Sequence, residues 1–590
     1  MTASRFAPLA YLGAALSLTT LSLTAPGTAT PAFAQSPPPP AGTSTAFTLT
    51  TGTPRTPEQL AMRFDKADLA FKVNPENRDL AGDATLEFTA TAPLSRLVLE
   101  FDTVFQVIFV NVNGELIVPG DWRNPDGRMT IDLREPLAAG DKAVVRIAYQ
   151  GQPHQAKNAP WDGGFVWART TDNKPWIATA VQGEGCDLFW PCIDHPEGEP
   201  ARADLHITIP SDLSAPSNGR FLGKTDHSDG TTTWNWTAAH PDTYAIALNI
   251  GPYVEMTADY HSRFGNVVPL HFWRLASDRQ DRAEALFAEF PKMLDFYESE
   301  VGPFPFGDEK MGVVETPHLG MEHQTINAYG NAYKLDGKGY DWLLQHELAH
   351  EWFGNQMTNV TWDDMWLHEG LGTYMQPLYA RWLNGDRYME AELATMRLAL
   401  HNTFPLVSGK PQDSATVYTD ATGPGLDLYY KGALVAHSLR TLIGDEAFKR
   451  SLTRLVYGRP DPRPGNFEPL YASTPDFIRI VNEESHRDLG WFFATYVYQA
   501  ALPKLVLTRD GDRATVTWAD TAGSFPMPVE VEVDGQLRTL PMRDGKGDFT
   551  APEGAHIILD PSNKLLRQLD FIDAYQARQR EDAGPARPQH

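Results

Sequence analysis

Residues 340–370 read YDWLLQHELAHEWFGNQMTNVTWDDMWLHEG, and the rest of the chain is organised around this stretch. His346, Glu347 and His350 form the pattern H-E-x-x-H, and Glu369 follows after eighteen intervening residues. Positions four apart on a helix lie on the same face, so both imidazoles can reach one metal ion. Zinc accepts nitrogen and carboxylate oxygen in a tetrahedral shell. The stretch therefore predicts one zinc ion per chain, bound by His346, His350 and Glu369, with one position open for water.

Glu347 lies beside the two histidines, and the motif implies that it takes a proton from the zinc-bound water as a general base. The helix itself is predicted over residues 341–353, which contain no proline or glycine, and Gly354 then offers a C-terminal stop. Its apolar stripe consists of Leu343, Leu344, Leu348 and Trp352. A second helix is predicted to carry Glu369. H-E-x-x-H alone leaves open a buried helix whose histidines only pack, and Glu369 at its spacing argues against that alternative.

Residues 1–34 have the layout of a secretory signal peptide: a positive charge at Arg5, a short apolar run, and the small residues AFA before Gln35. Cleavage is expected after Ala34, and the proline-rich residues 35–45 are predicted to form a linker. The apolar run is short and is broken by serine and threonine, so a membrane anchor is disfavoured. We therefore expect an exported protein, periplasmic or secreted, with no membrane anchor after signal removal.

The composition is that of a globular protein, with 590 residues, 42% hydrophobic and 21% charged. The formal net charge of −25 disfavours nucleic acid as a partner. The two cysteines, Cys186 and Cys192, lie in one short segment. Export would allow a local disulfide between them. A two-cysteine zinc site is the alternative, although the segment supplies no obvious further ligands.

Hydrophobic periodicity divides the chain into three regions after the linker. Short strands separated by turn residues fill residues 46–253 and predict a β-sandwich or saddle-like sheet. Residues 254–501 mix strand-like and helical patterns, including a predicted amphipathic helix over 282–302. Asp-Gly turns between strands predict a small β-sandwich over 502–572, and residues 573–590 read as a polar tail. The predicted fold class is therefore α+β with several domains.

Several motifs, in order, carry a resemblance to a known family. HELAHEWFGNQMT followed by WLHEG resembles the zinc signature of the gluzincin zinc aminopeptidases, peptidase family M1, to which alanyl aminopeptidases and leukotriene hydrolase belong. The family's GxMEN, WFPCxDxP and YxKG segments are resembled here by LGMEHQ (319–324), FWPCIDHP (189–196) and YYKG (429–432). The resemblance runs from about residue 60 to 565. It implies that residues 254–501 form a thermolysin-like catalytic domain behind an N-terminal β domain.

The resemblance also implies substrate-binding roles for the stretch around Glu322. The Glu322 carboxylate would bind the free α-amino group of a peptide, since a buried ammonium needs a partner of opposite charge. Gly320, Met321 and His323 would pair with the backbone of the substrate. Gln182 is similar to a family residue that contacts the amine or the first side chain. Binding the amine at a fixed distance from the metal would stop cleavage after one residue.

Tyr429, the first residue of YYKG, resembles the tyrosine whose hydroxyl stabilises the tetrahedral oxyanion. The sequence departs from the family where Leu319 and His323 stand for Gly and Asn, which puts the register of the substrate in doubt. His368 replaces the asparagine before the third ligand and is interpreted as a neighbour of the ligands or a surface residue. Asp364 is a candidate for orienting a ligand histidine. The remaining histidines of interest are interpreted as structural: His195, His318, His401 and His437.

The predicted function is that of a zinc aminopeptidase, a hydrolase that removes the N-terminal residue of a peptide. A zinc-bound water activated by Glu347 would attack the first carbonyl while Glu322 holds the amine. Two alternatives stay open. One is a noncatalytic zinc-binding homologue, and the other is an endopeptidase or an epoxide-type hydrolase on the same scaffold.

Overall fold

Alternation of apolar and polar residues builds the first part of the chain into strands. The computed structural model describes residues 42–334 and 337–583; the predicted signal peptide and residues 35–41 of the predicted linker lie outside the described residues. The elements of this part are α1 (Pro57–Leu60), β1 (Met62–Asn74), β2 (Asp79–Ala90), β3 (Leu94–Glu100), β4 (Gln106–Val112), β5 (Glu115–Ile117), β6 (Trp122–Arg123), β7 (Arg128–Leu137), β8 (Lys142–Gly151), β9 (Gly164–Arg169), β10 (Pro175–Ala180), β11 (Arg202–Pro210), β12 (Arg220–Asp226), β13 (Thr231–Ala239) and β14 (Asn249–Ile250).

These strands form a large sheet and two smaller ones. The large sheet has the order β12-β13-β11-β1-β2-β8-β4-β5, and the small sheets are β14-β10-β9 and β3-β7-β6. Alternate side chains of β1 and β2 are buried, which gives the sheet one apolar face. Trp190 and both cysteines are fully buried in the core behind that face. Cys186 and Cys192 form a disulfide, so the two-cysteine zinc site considered above is wrong.

The middle part of the chain combines a mixed sheet with helices. Its elements are β15 (Tyr253–His261), β16 (Val267–Leu275), α2 (Gln280–Phe287), α3 (Phe290–Glu300), β17 (Met311–Glu315), β18 (Gly320–Met321), β19 (Asn327–Tyr329), α4 (Trp342–Ala349), β20 (Met357–Asn359), α5 (Trp366–Asn384), α6 (Asp386–Leu398), α7 (Ser414–Val417), α8 (Asp427–Ile443), α9 (Asp445–Tyr457), β21 (Leu470–Ala472), α10 (Thr474–Ser485) and α11 (Gly490–Tyr496). The sheet has the order β15-β16-β17-β19-β18, so β18 lies at its edge.

Two elements of the middle part differ from the prediction. The predicted change of period at residue 254 comes later, because β15 and β16 form a hairpin before the first long helix begins at Gln280. The predicted helix over 282–302 is two helices, α2 and α3. Pro291 lies in the first turn of α3, where its missing N–H does no harm, whereas inside a continuous helix it would remove a hydrogen bond.

The C-terminal part forms two three-stranded sheets, β22-β23-β26 and β25-β24-β27, followed by a helix. The elements are β22 (Lys504–Asp510), β23 (Arg513–Ala519), β24 (Val529–Val533), β25 (Gln536–Leu540), β26 (Lys546–Thr550), β27 (Ile557–Leu559) and α12 (Asp570–Ala583). The predicted polar tail thus begins inside α12. Phe525, in the loop between β23 and β24, packs on Trp491 of α11 at 5.0 Å between ring centroids, and both parts share one core.

The fold is therefore α+β with an N-terminal β-rich region and a helical catalytic region, as predicted. None of the helices within residues 42–334 and 337–583 combines the length and the apolarity that crossing a membrane requires.

Candidate metal centre and active-site cleft

Helix α4 brings two histidines together at its C-terminal end. Asp341 caps the helix by accepting hydrogen bonds from the N–H groups of Leu343 and Leu344, at 3.0 and 3.1 Å. The Nε2 atoms of His346 and His350 lie 3.3 Å apart. The helix ends at Ala349, earlier than predicted, because the next amides bond to carbonyls three residues back, as His350 N does to Glu347 O at 3.2 Å.

The two histidines offer their Nε2 lone pairs to the same point. Nδ1 of His350 lies 2.9 Å from the carbonyl oxygen of Phe353, and a carbonyl can only accept, so Nδ1 carries the proton. This leaves Nε2 of His350 free as a ligand atom. Asp364, a candidate for this orienting role, instead accepts from the Thr474 N–H at 2.8 Å and caps α10, so that interpretation is wrong.

Glu369, in the first turn of α5, completes the set of three. Its Oε2 atom lies 3.4 Å from Nε2 of His350 and 3.9 Å from Nε2 of His346. Its Oε1 atom accepts hydrogen bonds from the hydroxyls of Tyr418 at 3.0 Å and Tyr429 at 3.1 Å. Oε2 is buried and has no hydrogen-bond donor among the described residues. A buried carboxylate oxygen without a donor is suited to a cation.

The three ligand atoms fit zinc. Zinc bound to nitrogen and oxygen at about 2.0–2.1 Å in a tetrahedral shell places its ligand atoms about 3.3 Å apart. The separations of 3.3, 3.4 and 3.9 Å between His346, His350 and Glu369 are close to that value. Glu322, Glu347 and His350 also have ligand atoms within 4.8 Å of one another. We prefer the first set because Oε2 of Glu369 is a buried oxygen without a hydrogen-bond donor among the described residues.

Three side chains surround the Glu322 carboxylate. Oε1 of Glu322 accepts hydrogen bonds from Nε2 of Gln182 at 2.5 Å and from the Tyr244 hydroxyl at 2.6 Å. Nε2 of His368 lies 3.5 Å from the same oxygen. His368 is buried and its ring packs edge-on against His350, so the alternative of a surface residue is wrong for it. Glu322 is thus a buried carboxylate held in place by neutral donors.

Glu347 is buried, and one of its carboxyl oxygens lies within 4.8 Å of ligand atoms of both Glu322 and His350. Burial and the charges of Glu322 and Glu369 raise the pKa of Glu347 well above its usual range. A divalent cation beside it would lower that pKa again. Gly320 of β18 lies against it: a Cβ atom at residue 320 would be 2.2 Å from Oε1 of Glu347. The glycine therefore lets the edge strand approach the general-base candidate.

Two family models match the chain. Residues 64–244 match the peptidase M1 N-terminal domain, and residues 309–496 match the peptidase family M1 domain.

The chain belongs to peptidase family M1.

Among the relatives of this M1 chain is the tricorn protease-interacting factor F2 of Thermoplasma volcanium, 23% identical over 60% of this chain and 46% of the relative. Aminopeptidase B of Mus musculus is 25% identical over 63% of this chain and 58% of the relative. The chain spans about half the length of the curated relatives it matches. A solved structure, the M1 zinc metallopeptidase from Deinococcus radiodurans, is 26% identical, with a TM-score of 0.59 over 72% of this chain and 90% of that chain.

The metal ligands of this M1 chain open into a cleft of about 490 Å³. Gly320 and Met321 of β18 line one wall, and their strand has a free edge there. Tyr429 and Tyr430 line another wall. Of these two tyrosines, Tyr429 donates a hydrogen bond to Glu369. The rim carries apolar side chains, with Trp161 70% exposed. The cleft can therefore receive an extended peptide beside the metal centre.

His323 does not line this cleft. Its ring is fully buried, and neither ring nitrogen has a hydrogen-bond partner among the described residues. Burial lowers its pKa to about 3, so the ring is neutral. His323, one of the three residues predicted to pair with a substrate backbone, is therefore not part of the cleft wall, whereas Gly320 and Met321 of the same segment line it.

Sequence reasoning missed two tyrosines of the site. Tyr244 donates to Glu322 and Tyr418 donates to Glu369, and each lies on a loop far along the chain from its partner. Neither belongs to a motif or to a periodic pattern. A buried carboxylate needs hydrogen-bond donors. Burial of Glu322 and Glu369 therefore implies that each has donor partners, but it does not identify those residues.

Proposed function

We propose that this protein is a zinc aminopeptidase that releases the first residue of peptides with a free N-terminus. The observation that carries the proposal is the position of Glu322, whose carboxylate has a ligand atom within 4.8 Å of those of Glu347 and His350. In a peptide only one atom, Cα, separates the terminal amine from the first carbonyl carbon. An ammonium bound by Glu322 would thus hold the first peptide bond at Glu347 and the metal centre.

The roles of the residues follow from their positions. Zinc, when bound by His346, His350 and Glu369, supplies a Lewis acid that polarises the carbonyl oxygen and acidifies water. Glu347 takes the proton from the attacking water and returns it to the leaving amine. The Tyr429 hydroxyl turns from Glu369 to donate to the developing oxyanion.

The comparisons support this proposal. Relatives bear the name aminopeptidase, and solved neighbours are named M1 zinc metallopeptidases. A mutant of the Deinococcus radiodurans enzyme, 26% identical to this chain, is described as bound to a Tyr-Ser-Ala substrate. A tripeptide with a free amine is the class of ligand that the buried Glu322 would anchor.

We also propose that the protein is exported, to a periplasm or out of the cell. The layout of residues 1–34 motivates this, and the disulfide between Cys186 and Cys192 supports it, since disulfides persist in oxidising compartments. Fusion of residues 1–40 to a reporter that is active only after export would test it: a reporter retained in the cytoplasm would contradict the proposal.

The function is tested by comparing aminoacyl anilides with their N-acetylated forms on the zinc-loaded protein. We expect turnover of the free-amine substrates and none of the acetylated ones. Glu322→Gln should raise KM for the free amine while zinc content stays at one ion per chain. Glu553→Gln, at an exposed glutamate, is the matched control.

Equal hydrolysis of both substrate forms would point to an endopeptidase instead. A zinc-loaded protein inactive on every aminoacyl anilide would point to the noncatalytic homologue.

A further inference from the structure

A second cleft lies at the opposite ends of the helices that carry the site. Its volume is about 770 Å³, and it is enclosed by α6, the C-terminal ends of α5 and α8, and residues 561–572. Arg381 of α5 lies twelve positions after Glu369, about 18 Å along the helix. The cleft is therefore separate from the metal centre but built on the same two helices.

Arg397 is the unusual residue of this cleft. It is only 6% exposed, and its Nε atom has no hydrogen-bond partner in the part of the chain that the structure describes. Its guanidinium donates to the carbonyl oxygen of Asn563 but has no ion-pair partner among the described residues. A buried guanidinium without a carboxylate is costly, because an ion loses its hydration on burial. Burial lowers the pKa of Arg397 to about 10, against the opposing attraction of the Asp560 carboxylate, so Arg397 stays charged at neutral pH.

The carboxylates near Arg397 have other partners. Asp560 accepts from Arg567 at 3.2 Å and from backbone amides. Asp445 pairs with Arg440 at 2.8 Å, and Asp386 pairs with Arg381 at 2.7 Å. The third acidic side chain of the cleft, Glu390, is exposed.

Four cationic and three acidic side chains line the cleft, although the whole chain has a net charge of −25. Burial and the charges of four neighbouring cations lower the pKa of His437, which lines the cleft, to about 3. Those cations are Arg397, Arg440, Arg381 and Lys564. Arg381, Arg440 and Lys564 have carboxylate partners, the last in Glu530 at 2.7 Å. An anion that enters the cleft would therefore pair with Arg397.

The other wall of the cleft is apolar. Met389 and Leu393 of α6 face it from one side, and Leu569, Phe571 and Ile572 face it from the other. Phe571 is 64% exposed, which is a large exposure for an aromatic ring beside a cavity. A small inorganic anion bound in the cleft would leave the apolar side chains of this wall exposed to water.

We propose that this cleft binds an organic carboxylate whose charged group pairs with Arg397 and whose apolar group packs on the wall formed by Met389, Leu393 and Phe571. Arginine binds a carboxylate through two parallel N–H donors, and the free Nε atom is one such donor.

The test uses the full-length zinc-loaded protein and three probes: benzoate, neutral benzamide and inorganic phosphate. We expect benzoate to bind with a Kd on the order of 1 mM or tighter by calorimetry. Benzamide and phosphate should each bind at least about tenfold more weakly than benzoate. Benzamide has no negative charge to pair with Arg397, and phosphate has no apolar group to pack on the wall. The probes are not peptides, so the result is independent of the proposed aminopeptidase activity.

A variant shows where benzoate binds, because a carboxylate could also reach zinc. Arg397→Gln should weaken benzoate binding at least about tenfold. Arg513→Gln, at a 70% exposed arginine, is the matched control and should bind as the wild type does. Should Arg397→Gln fail to fold, a wild-type crystal with 4-bromobenzoate gives the answer, and anomalous scattering should place bromine in the cleft.

Three results would overturn the proposal. They are equal benzoate affinity in Arg397→Gln, benzamide or phosphate binding as tightly as benzoate, and bromine found only at the metal centre or nowhere.

Discussion

Single atoms of the carboxylates decide what the site can bind. Oε1 of Glu369 is occupied by two tyrosine hydroxyls, which leaves Oε2 for a metal ion. Oε1 of Glu322 is likewise occupied by Gln182 and Tyr244, and no metal ligand donates to it. The two glutamates are similarly buried but differ in position: Oε2 of Glu369 lies 3.4 and 3.9 Å from the Nε2 atoms of His350 and His346.

Glu347→Gln tests the general base. We expect the variant to keep zinc, since Glu347 is not one of the three proposed ligands, and to lose about 10²–10⁴-fold in kcat because no group accepts the proton from water. Metal analysis and turnover of an aminoacyl anilide measure both quantities. Glu553→Gln serves as control, and near-normal kcat in Glu347→Gln would refute the assignment.

Tyr429→Phe and Tyr418→Phe form a matched pair, since both hydroxyls donate to the same oxygen of Glu369. Tyr429→Phe should lower kcat about 10²-fold with little change in KM, because the oxyanion loses a donor. Tyr418→Phe should instead weaken zinc about tenfold while the zinc-loaded enzyme keeps its kcat. Steady-state kinetics and zinc titration separate the two, and identical losses of kcat would contradict distinct roles.

At the scale of elements, the site depends on how closely α5 and α8 cross. A Cβ atom on Gly432 would be 2.7 Å from the Cα of Gly370, so both helices need glycine at the crossing. Gly370 directly follows Glu369, and Gly432 lies three positions after Tyr429. The crossing therefore sets the distance between Glu369 and Tyr429.

Gly432→Ala tests this crossing. Alanine would favour an isolated helix by about 1 kcal/mol, but here it forces the helices apart. We expect a net loss of about 1–3 kcal/mol in the free energy of unfolding, together with a lower kcat. Denaturant unfolding and kinetics are the measurements. Gly337→Ala, where a Cβ atom meets nothing within 4 Å, should change neither, and a stabilised Gly432→Ala would disprove the close approach.

At the scale of the whole molecule, the N-terminal β region and the catalytic sheet are joined around Glu315 of β17. Its carbonyl oxygen accepts hydrogen bonds from Trp176 at 3.3 Å and from Tyr253 at 2.9 Å. Its carboxyl group accepts from the Leu275 N–H at 2.6 Å. Burial, followed by the nearby Asp278, raises the pKa of Glu315 to about 9.

This raised pKa predicts a pH-dependent effect of Glu315→Gln. The folded protein keeps the carboxyl protonated up to about pH 9, whereas the unfolded chain ionises it near the ordinary value of 4.5. The wild type therefore loses stability as the pH rises between these values, and glutamine does not titrate. We expect the Tm of Glu315→Gln relative to the wild type to be higher at about pH 8.5 than at about pH 5. Glu553→Gln should show no such trend, and a difference in Tm that is independent of pH would contradict the prediction.

The sequence by itself determined the features that neighbouring residues encode. The spacing of His346, Glu347 and His350 places them on one helix, and the alternation along β1 and β2 predicts their strands. The family motifs are also short stretches of neighbouring residues, so the sequence shows them directly. The structure agrees with these expectations in fold class and in the meeting of the three ligand candidates.

Only the tertiary structure decided which distant residues meet. Tyr244 and Glu322 are 78 positions apart, and Tyr418 and Glu369 are 49 apart, so no local period connects them. The neutral burial of His323 and the unpaired guanidinium of Arg397 also arise from packing. The physical reason is that periodicity records which face of an element is apolar, whereas hydrogen bonds and charge pairing depend on what the folded chain brings against that face.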